Sequence, residues 1–551
     1  MSRSIKVMTI KGADLLIECL KVQGVRCVFG MPGVQNLQIY DALYRSGAGS
    51  LDHYLVRHEY AATLMAHGFA HTTGNVGVAL TVPGPGATNA ATGLLEAFTD
   101  CEPVLLITGQ SHSKFYKKDA AKMFHGLDQM AMFRPITKYC AIARSTDEIP
   151  TVVEKAFRAL RSGRPGPVVL EFPDEVLTGS TSEGSLPRVE RKPGEAPDPD
   201  ALRDLSKALA GAKMPMIVAG SAVIHAGALE ELRLLAEKLN APVAVTRCAK
   251  GAFREDHPLA LTHCCRFVAD EAMKVADCTL AVGIRFASLD TRNYTLELPR
   301  PLLQIDEDPR EIGLEYPCEG SVVGDLKASL QALIENVEPG RNDWKQLVGG
   351  FRKQFAAQPP IPLLPEIRKV LPEDGILSVD AHAIGYATHD EFPVVAPSNY
   401  LFPNITVALG SAYPAALGAK VAHPDRAVVC FTGDGGFMMG SPELSTAVKY
   451  GLNVVTIVVN DRALSGIKGS QQKYFEGRII DVDLHNPDFV EFAKSFGAYG
   501  RRVDDLSEFK SIFEEALSLD RPSLIEVPMA DRQQELIDGV EWLRPGLLRT
   551  C

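Results

Sequence analysis

The chain has 551 residues, of which 46% are hydrophobic and 23% charged, and its formal net charge is −11 at pH 7. This length exceeds what one hydrophobic core normally supports and indicates about three domains. The acidic balance disfavours general nucleic-acid binding, which normally needs a basic surface. No apolar run approaches the ~18 residues of a membrane span, and no signal peptide is evident, so we expect a globular, cytoplasmic protein without a membrane role.

The eleven cysteines include no CxxC pair and lie mostly in apolar strings. This usage indicates buried, reduced thiols. Cys264 and Cys265 are adjacent, and we expect them to be ordinary reduced cysteines and not metal ligands.

Short β-branched runs alternate with segments of helical periodicity along the chain. In the first third the predicted strands cover 78–84, 103–109 and 166–173, and predicted helices cover 59–70 and 149–162. The alternation predicts an α/β fold with doubly wound parallel sheets. Polar, proline-rich stretches near 178–200 and before 360 separate three blocks. We therefore predict domains over 1–180, 190–340 and 360–551.

Two predicted strands of the third block, over 426–431 and 454–460, each end in polar residues. Asp434 lies in the glycine turn after the first strand, and Asn460 and Asp461 end the second. Carboxyl ends of parallel strands meet at one sheet edge, where ligands usually bind. Oxygen ligands there suit Mg²⁺, which completes its shell with phosphate and water. By itself the pattern fits either an ordinary turn, because Gly and Asp are common turn residues, or a metal that holds a phosphorylated cofactor.

The helix between these strands is predicted to begin at Ser441, with Pro442 and Glu443 in its first turn. Gly451 is the predicted C-cap.

The stretch 431–461, "FTGDGGFMMGSPELSTAVKYGLNVVTIVVND", resembles the diphosphate-binding motif of thiamine diphosphate (ThDP) enzymes, which begins with GDG and ends in two asparagines. The resemblance implies metal ligands at the Asp434 and Asp461 side chains and the Ala463 carbonyl, with Asn460 as the alternative. Asp461 replaces the second asparagine of the family. The extra carboxylate adds negative charge beside the diphosphate.

Residues 56–110 of the first block, which contain "VRHEYAATL" and "GPGATN", resemble the pyrimidine domain of the acetolactate synthase and pyruvate decarboxylase superfamily. The resemblance implies that Glu59 protonates a pyrimidine nitrogen and thereby activates the cofactor. Leu409 falls where the family places an aliphatic side chain between the cofactor's rings. Further implied cofactor contacts are Pro32, Gly33, Pro85, Asn89, Gly385, Gly433, Gly435, Gly436, Leu464 and Ser465.

The segment "MFHGLDQMAMFRPITK" (123–138) faces the reacting ring in relatives, which implies that Phe124 and His125 line the substrate pocket. Acetolactate synthases have Gln and Glu where this chain has His125 and Gly126, and "GLDQMAM" looks at least as similar to benzaldehyde lyase and acyl-CoA lyases. The residues leave open whether His125 transfers a proton or only lines the pocket.

Gly466 and Ser470 stand where acetolactate synthases place Met and Trp against the substrate. The smaller side chains favour a bulkier substrate than pyruvate.

The resemblance extends over nearly the whole chain and favours 2-oxo acid decarboxylation with carboligation. Alternatives are a 2-hydroxyacyl (possibly acyl-CoA) lyase or decarboxylase, a benzaldehyde-lyase-like carboligase, an FAD-dependent 2-oxo acid oxidase and a non-catalytic regulatory homologue. No short sequence motif marks FAD binding in the middle domain, so the sequence does not test the oxidase alternative. Family sites form between two subunits, which implies at least a homodimer and commonly a homotetramer. The segment 535–551 is expected to be a surface tail, with an active-site lid as the alternative.

Overall fold

The computed structural model describes residues 9–116, 118–182, 188–191, 194–356 and 363–532. Within these ranges the chain forms three parallel sheets of six strands each, with helices between most successive strands. This confirms the predicted α/β class. Across the same ranges no helix combines the length and apolarity that a membrane crossing requires. The tail at 535–551 lies outside the described residues.

The first sheet belongs to the N-terminal block. Its elements are β1 (Ile10–Lys11), α1 (Gly12–Val22), β2 (Cys27–Gly30), α2 (Leu37–Ser46), β3 (Asp52–Leu55), α3 (Glu59–Thr73), β4 (Gly77–Thr81), α4 (Pro85–Asp100), β5 (Val104–Gln110), α5 (Gln129–Phe133), β6 (Tyr139–Ile142), α6 (Ile149–Arg161), β7 (Val168–Pro173), α7 (Asp174–Thr178) and β8 (Ser180–Thr181). The sheet has the order β3-β2-β4-β5-β7-β6, and β1 pairs separately with β8. Its central strands β4, β5 and β7 are buried throughout, as is typical of parallel sheets covered on both faces.

The second sheet has the order β11-β10-β9-β12-β13-β14. The elements of this block are α8 (Pro199–Gly211), β9 (Pro215–Ala219), α9 (Ala222–His225), α10 (Leu229–Leu239), β10 (Val243–Val245), β11 (Ala260–His263), α11 (Phe267–Met273), β12 (Cys278–Val282), β13 (Leu302–Asp306), β14 (Gly320–Val323), α12 (Leu326–Asn336) and α13 (Trp344–Ala356). The strand order reverses at β9, so the loops after β9 and β12 flank a topological switch point.

The third sheet has the order β16-β15-β17-β18-β20-β19. The elements of this block are α14 (Leu364–Val370), β15 (Ile376–Val379), α15 (Ala383–Glu391), β16 (Tyr400–Leu401), α16 (Ala412–Ala422), β17 (Val428–Gly433), α17 (Asp434–Gly440), α18 (Leu444–Tyr450), β18 (Val455–Asn460), α19 (Ser465–Tyr474), α20 (Phe489–Ser495), β19 (Tyr499–Arg502), α21 (Phe509–Ser518) and β20 (Ser523–Pro528). The two strands predicted around the glycine turn are present as the neighbours β17 and β18.

The helix between β17 and β18 differs from the prediction at its start. It begins at Asp434, and a 3₁₀ turn over Ser441–Glu443 separates α17 from α18. The predicted start at Ser441 is wrong because the Ser441 hydroxyl donates to the Met438 carbonyl, 3.1 Å away, and caps no helix. Gly451 ends α18 as predicted, with a positive φ of 63°.

Contacts divide the chain into two compact units. One contains the first sheet together with residues 408–424 and 438–454, and the other contains the second and third sheets. In the first unit α16 lies directly against α3. A Cβ at Gly68 would be 2.1 Å from the Ala415 carbonyl oxygen, and a Cβ at Gly418 would be 1.9 Å from that of Met65. The two helices therefore need glycine where they cross, and this contact fixes the helix that begins at Glu59.

Candidate functional site

Two acidic side chains lie together at the carboxyl edge of the third sheet. Strands β17 and β18 are paired with Gly433 opposite Val459, so Asp434 and Asp461 follow at the same edge. The Asp434 carboxylate accepts hydrogen bonds from the Gly435 amide and the Arg462 amide, both at 2.9 Å. Both acids are buried, with exposed fractions of 2% and 6%.

The electrostatics of this acid pair favour a cation. Burial, reinforced by the charge of Asp461, raises the pKa of Asp434 to about 6. Burial also raises the pKa of Asp461. A divalent cation would offset both the burial and the repulsion, and carboxylate oxygens are ligands that Mg²⁺ accepts. The residues present thus fit the metal that the sequence predicts.

The side chain of Asn460, the alternative metal ligand, is engaged at both ends of its amide. Its nitrogen donates to Glu526 Oε1 at 2.8 Å, and its oxygen accepts from Asn486 Nδ2 at 2.9 Å. Asn486 Nδ2 also donates to Asp434 Oδ2 at 2.6 Å. Asp461 is therefore the better candidate ligand. No sequence motif marked Asn486, because its role arises only when the loop before α20 folds over this sheet edge.

The glycines after β17 keep side chains out of the turn. A Cβ at Gly435 would lie 3.0 Å from Leu464 Cδ2, which brings two predicted cofactor contacts together. A Cβ at Gly433 would lie 2.9 Å from His382 Cβ, and a Cβ at Gly436 would lie 3.0 Å from Asp380 Oδ2. A Cβ at Gly385 would lie 2.4 Å from the Asp380 carbonyl oxygen. Ser465 is buried at the first position of α19. The turn thus leaves backbone N–H groups as the means of binding an anion.

Glu59 and Asn89 meet at the carboxyl edge of the first sheet. Glu59 is the first residue of α3 and is half-buried, and Asn89 Nδ2 donates to Glu59 Oε2 at 3.0 Å. A Cβ at Gly86 would be 3.2 Å from Glu59 Oε1. The carboxylate therefore lies against the first turn of α4, which begins at Pro85.

The residues after β2 reach the same place. A Cβ at Gly33 would lie 2.4 Å from Val82 Cγ1, and a Cβ at Gly86 would lie 2.8 Å from Val82 Cγ2. Pro32, next to Gly33, is exposed. Because Gly86 also borders Glu59, the structure brings together the cofactor contacts predicted after β2, β3 and β4.

A buried acid, Glu443, holds the chain immediately before Glu59. Its Oε1 accepts the backbone N–H groups of Arg57 at 2.9 Å and of His58 at 3.0 Å. The Thr446 hydroxyl donates to Oε2 at 2.5 Å. Burial raises the pKa of Glu443. From sequence this acid was assigned to a helix start, since no local signal indicates partners 386 residues away.

The backbone of Leu409 is fixed in a similar way. The Tyr60 hydroxyl donates to the Leu409 carbonyl at 3.0 Å, and the neighbouring Ala408 amide donates to Glu96 Oε2 at 3.1 Å. Glu96 is fully buried on α4. The position of the predicted wedge residue is thus determined by the two helices that carry Glu59 and Asn89.

His125 lies beside the start of α4 with a positive φ of 57°. A Cβ at Gly84, the residue before Pro85, would be 2.9 Å from His125 Cα. Its ring stacks on that of Phe124 at a centroid distance of 3.9 Å, and Phe124 is 64% exposed. Among the described residues, His125 Nδ1 has no hydrogen-bond partner. The structure thus places His125 next to the turn that leads to Asn89.

The loop that carries Phe124 and His125 is held at both ends by Glu171, which sequence reasoning missed. The Tyr116 hydroxyl donates to its Oε1 at 3.2 Å, and Gln129 Nε2 donates to its Oε2 at 2.9 Å. Glu171 is 2% exposed, on β7.

Helix α19 presents small residues at two predicted pocket positions. A Cβ at Gly466 would meet nothing within 4 Å among the described residues. The Ser470 hydroxyl donates to the Gly466 carbonyl at 3.0 Å, one turn earlier in the same helix. Larger side chains could therefore be accommodated at Gly466.

Three family models match the chain. They are described as thiamine pyrophosphate enzyme N-terminal TPP binding domain (residues 10–132), central domain (202–333) and C-terminal TPP binding domain (382–527). Each match contains strands of one of the three parallel sheets.

Curated relatives match over almost their full length. A probable acetolactate synthase large subunit of Methanocaldococcus jannaschii is 34% identical, covering 94% of this chain and 92% of the relative. The acetolactate synthase isozyme 3 large subunit of Escherichia coli is 32% identical over 98% and 97% of the two chains. A probable 2-ketoarginine decarboxylase of Pseudomonas aeruginosa is 33% identical, covering 94% of each.

The contacts of Glu443 predict a measurable change before Glu59. Glu443→Ala should leave two backbone N–H groups without their acceptor, at a cost of about 1–3 kcal/mol for each group that remains buried. We expect faster deuterium uptake in a peptide covering residues 56–60, measured by hydrogen-exchange mass spectrometry. Glu443→Gln keeps an acceptor oxygen and should restore most of the protection. Equal uptake in wild type and Glu443→Ala would contradict the assignment.

Proposed function

Since the chain belongs to the thiamine pyrophosphate enzyme family, we propose that it is a ThDP- and Mg²⁺-dependent enzyme that decarboxylates a 2-oxo acid and joins the remaining acyl unit to a second carbonyl compound. The observation that carries the proposal is the buried pair of carboxylates, Asp434 and Asp461, beside a glycine turn. The relatives named as acetolactate synthases and as a 2-keto acid decarboxylase support the reaction class.

In this proposal Asp434, Asp461 and the Ala463 carbonyl hold Mg²⁺, and the turn at 433–436 binds the diphosphate through its backbone. ThDP supplies a nucleophilic carbon and an electron sink for cleaving the bond next to a carbonyl. Asn486 orients the Asp434 carboxylate by its 2.6 Å hydrogen bond. An outer hydrogen bond of this kind fixes a ligand before the metal binds.

Glu59 would exchange a proton with a pyrimidine nitrogen of the bound cofactor. Its position at the start of α3 is set by the Glu443 contacts to the two preceding amides, and its carboxylate is oriented by Asn89. A proton-transferring group must be held within hydrogen-bond reach of its partner. These hydrogen bonds at the start of α3 support the assignment of the proton transfer to Glu59.

A substrate screen tests the activity. Purified protein with ThDP and Mg²⁺ is offered pyruvate, larger 2-oxo acids, benzoin-type ketones and 2-hydroxyacyl-CoA, and products are followed by mass spectrometry. We expect consumption of a free 2-oxo acid. Glu59→Gln should lower kcat/KM by about 10²-fold or more, because it removes the acid–base group. Glu335→Gln changes an exposed acid of α12 and should leave the rate unchanged.

Other outcomes of this screen contradict the proposal in distinct ways. Cleavage of only the hydroxy-ketone or CoA substrates would identify a lyase. Turnover that requires FAD would identify an oxidase. Bound ThDP without any turnover would identify a non-catalytic homologue.

We infer that the donor is larger than pyruvate, because α19 offers Gly466 and Ser470 where acetolactate synthases place larger side chains. The variant Gly466→Met/Ser470→Trp should shift the kcat/KM ratio of pyruvate to the preferred larger acid by about 10-fold or more towards pyruvate. Gly466→Ala fills little of this space and serves as the control. An unchanged ratio in the double variant would show that these positions do not face the substrate.

We also propose that the protein is at least a homodimer, with Glu59 of one subunit serving the cofactor held by Asp434 of another. Three apolar side chains on and just before α2 are exposed, Val34 by 68%, Leu37 by 51% and Tyr44 by 87%. Their exposure supports a second contact between subunits near Gly33. Inactive Glu59→Gln and Asp434→Asn proteins, unfolded and refolded together in equal amounts, should recover about a quarter of wild-type activity through mixed dimers. No recovery despite mixed dimers in native mass spectrometry would indicate sites built within one subunit.

A further inference from the structure

A group of metal-ligating side chains lies at the second sheet, away from Asp434 in sequence. His263 ends β11 and is followed by Cys264, and Asp290 lies in the 3₁₀ turn Ser288–Asp290 after β12. His263 Nε2 is 3.1 Å from Asp290 Oδ1 and 4.0 Å from Cys264 Sγ. One ligand atom from each of the three residues lies within 4.8 Å of the other two. The loops after β11 and β12 thus converge on one point.

All three side chains are buried, with exposed fractions of 3% for His263, 1% for Cys264 and 4% for Asp290. Among the described residues, His263 Nδ1 and both ring nitrogens of His389 have no hydrogen-bond partner. His389 is 1% exposed, and its ring centroid is 5.7 Å from that of His263. Buried polar groups are nearly always partnered, and exceptions often mark a bound ion or water.

The donor set decides which metal fits. Sulfur, imidazole nitrogen and carboxylate oxygen together are typical of Zn²⁺ sites, whereas Mg²⁺ prefers oxygen alone. In tetrahedral zinc sites the metal lies ~2.0–2.3 Å from its ligands, which places ligand atoms ~3.3–3.8 Å apart. His263 Nε2 and Asp290 Oδ1, 3.1 Å apart, share a hydrogen bond that a metal would replace, and the 4.0 Å between His263 Nε2 and Cys264 Sγ is close to this range. Small side-chain movements would therefore suffice.

Two neighbours complete the arrangement. The Arg247 amide donates to Asp290 Oδ1 at 3.0 Å and orients the carboxylate. The Cys264 and Cys265 thiols both donate to the Asp290 carbonyl oxygen, at 3.3 and 2.7 Å, so this loop lies directly against the two cysteines.

We propose that His263, Cys264 and Asp290 form a zinc-binding site that is distinct from the magnesium site of the cofactor. Binding requires the Cys264 thiol to release its proton to solvent, so that a thiolate joins the neutral imidazole and the carboxylate. The bound ion would connect the end of β11 to the loop after β12 and stabilise that edge of the second sheet. The site does not depend on the proposed reaction.

Cobalt titration of the reduced, tag-free, EDTA-treated protein tests the site. Excess Mg²⁺ is present throughout, so that the carboxylates of Asp434 and Asp461 are already occupied. We expect one equivalent of Co²⁺ to produce a thiolate-to-cobalt charge-transfer band, which Zn²⁺ then abolishes by displacement. Cys264→Ser should lose the band, and Cys318→Ser, at a partly exposed cysteine outside the group, should retain it.

Asp290→Asn keeps the shape of the side chain, so it tests the site independently if Cys264→Ser fails to fold. It should weaken cobalt binding by at least about 10-fold while its circular dichroism spectrum stays that of wild type. Absence of a stoichiometric charge-transfer band in the wild type, or a band of equal affinity in both Cys264→Ser and Asp290→Asn, would overturn the proposal.

Discussion

The charge repulsion between two buried carboxylates dominates the electrostatics at the carboxyl edge of the third sheet. Asp434 and Asp461 end neighbouring strands, and the pKa of Asp434 is raised to about 6 by burial and by the charge of Asp461. Such a pair is unfavourable unless a cation shares the site. The glycine turn lies beside this pair, and Asn486 donates a hydrogen bond to Asp434. The Asn460 side chain is instead hydrogen-bonded to Glu526. We therefore propose that this sheet edge is preorganised for a metal and an anion.

In the first compact unit, several contacts hold in place the Glu59 carboxylate, which we propose transfers a proton. Buried acids make these contacts by accepting hydrogen bonds from backbone N–H groups. Glu443 fixes the two residues before Glu59, and Glu96 fixes Ala408 beside Leu409. These contacts join segments that are hundreds of residues apart into one compact unit. Loss of any one contact should disturb positioning more than chemistry.

The sequence predicted the α/β class and the strands that frame the glycine turn, because burial periodicity and turn chemistry are local signals. Through a family resemblance it also assigned Glu59 and Asn89 to one cofactor site. It did not indicate the partners of Glu443, Asn486 and Glu171, since each depends on a contact that only the folded chain creates. For the same reason the sequence did not indicate that His263 and Asp290 would lie beside Cys264, because this group of side chains also forms only in the folded chain.

We propose above that Asp434 and Asp461 together bind the divalent cation that holds ThDP. A crystal structure with ThDP and Mn²⁺, in which the anomalous scattering of manganese locates the ion, tests it most directly. We expect one strong anomalous peak in contact with both carboxylates and beside the diphosphate. A peak that contacts Asn460 but not Asp461, or bound ThDP with no manganese at this sheet edge, would contradict it.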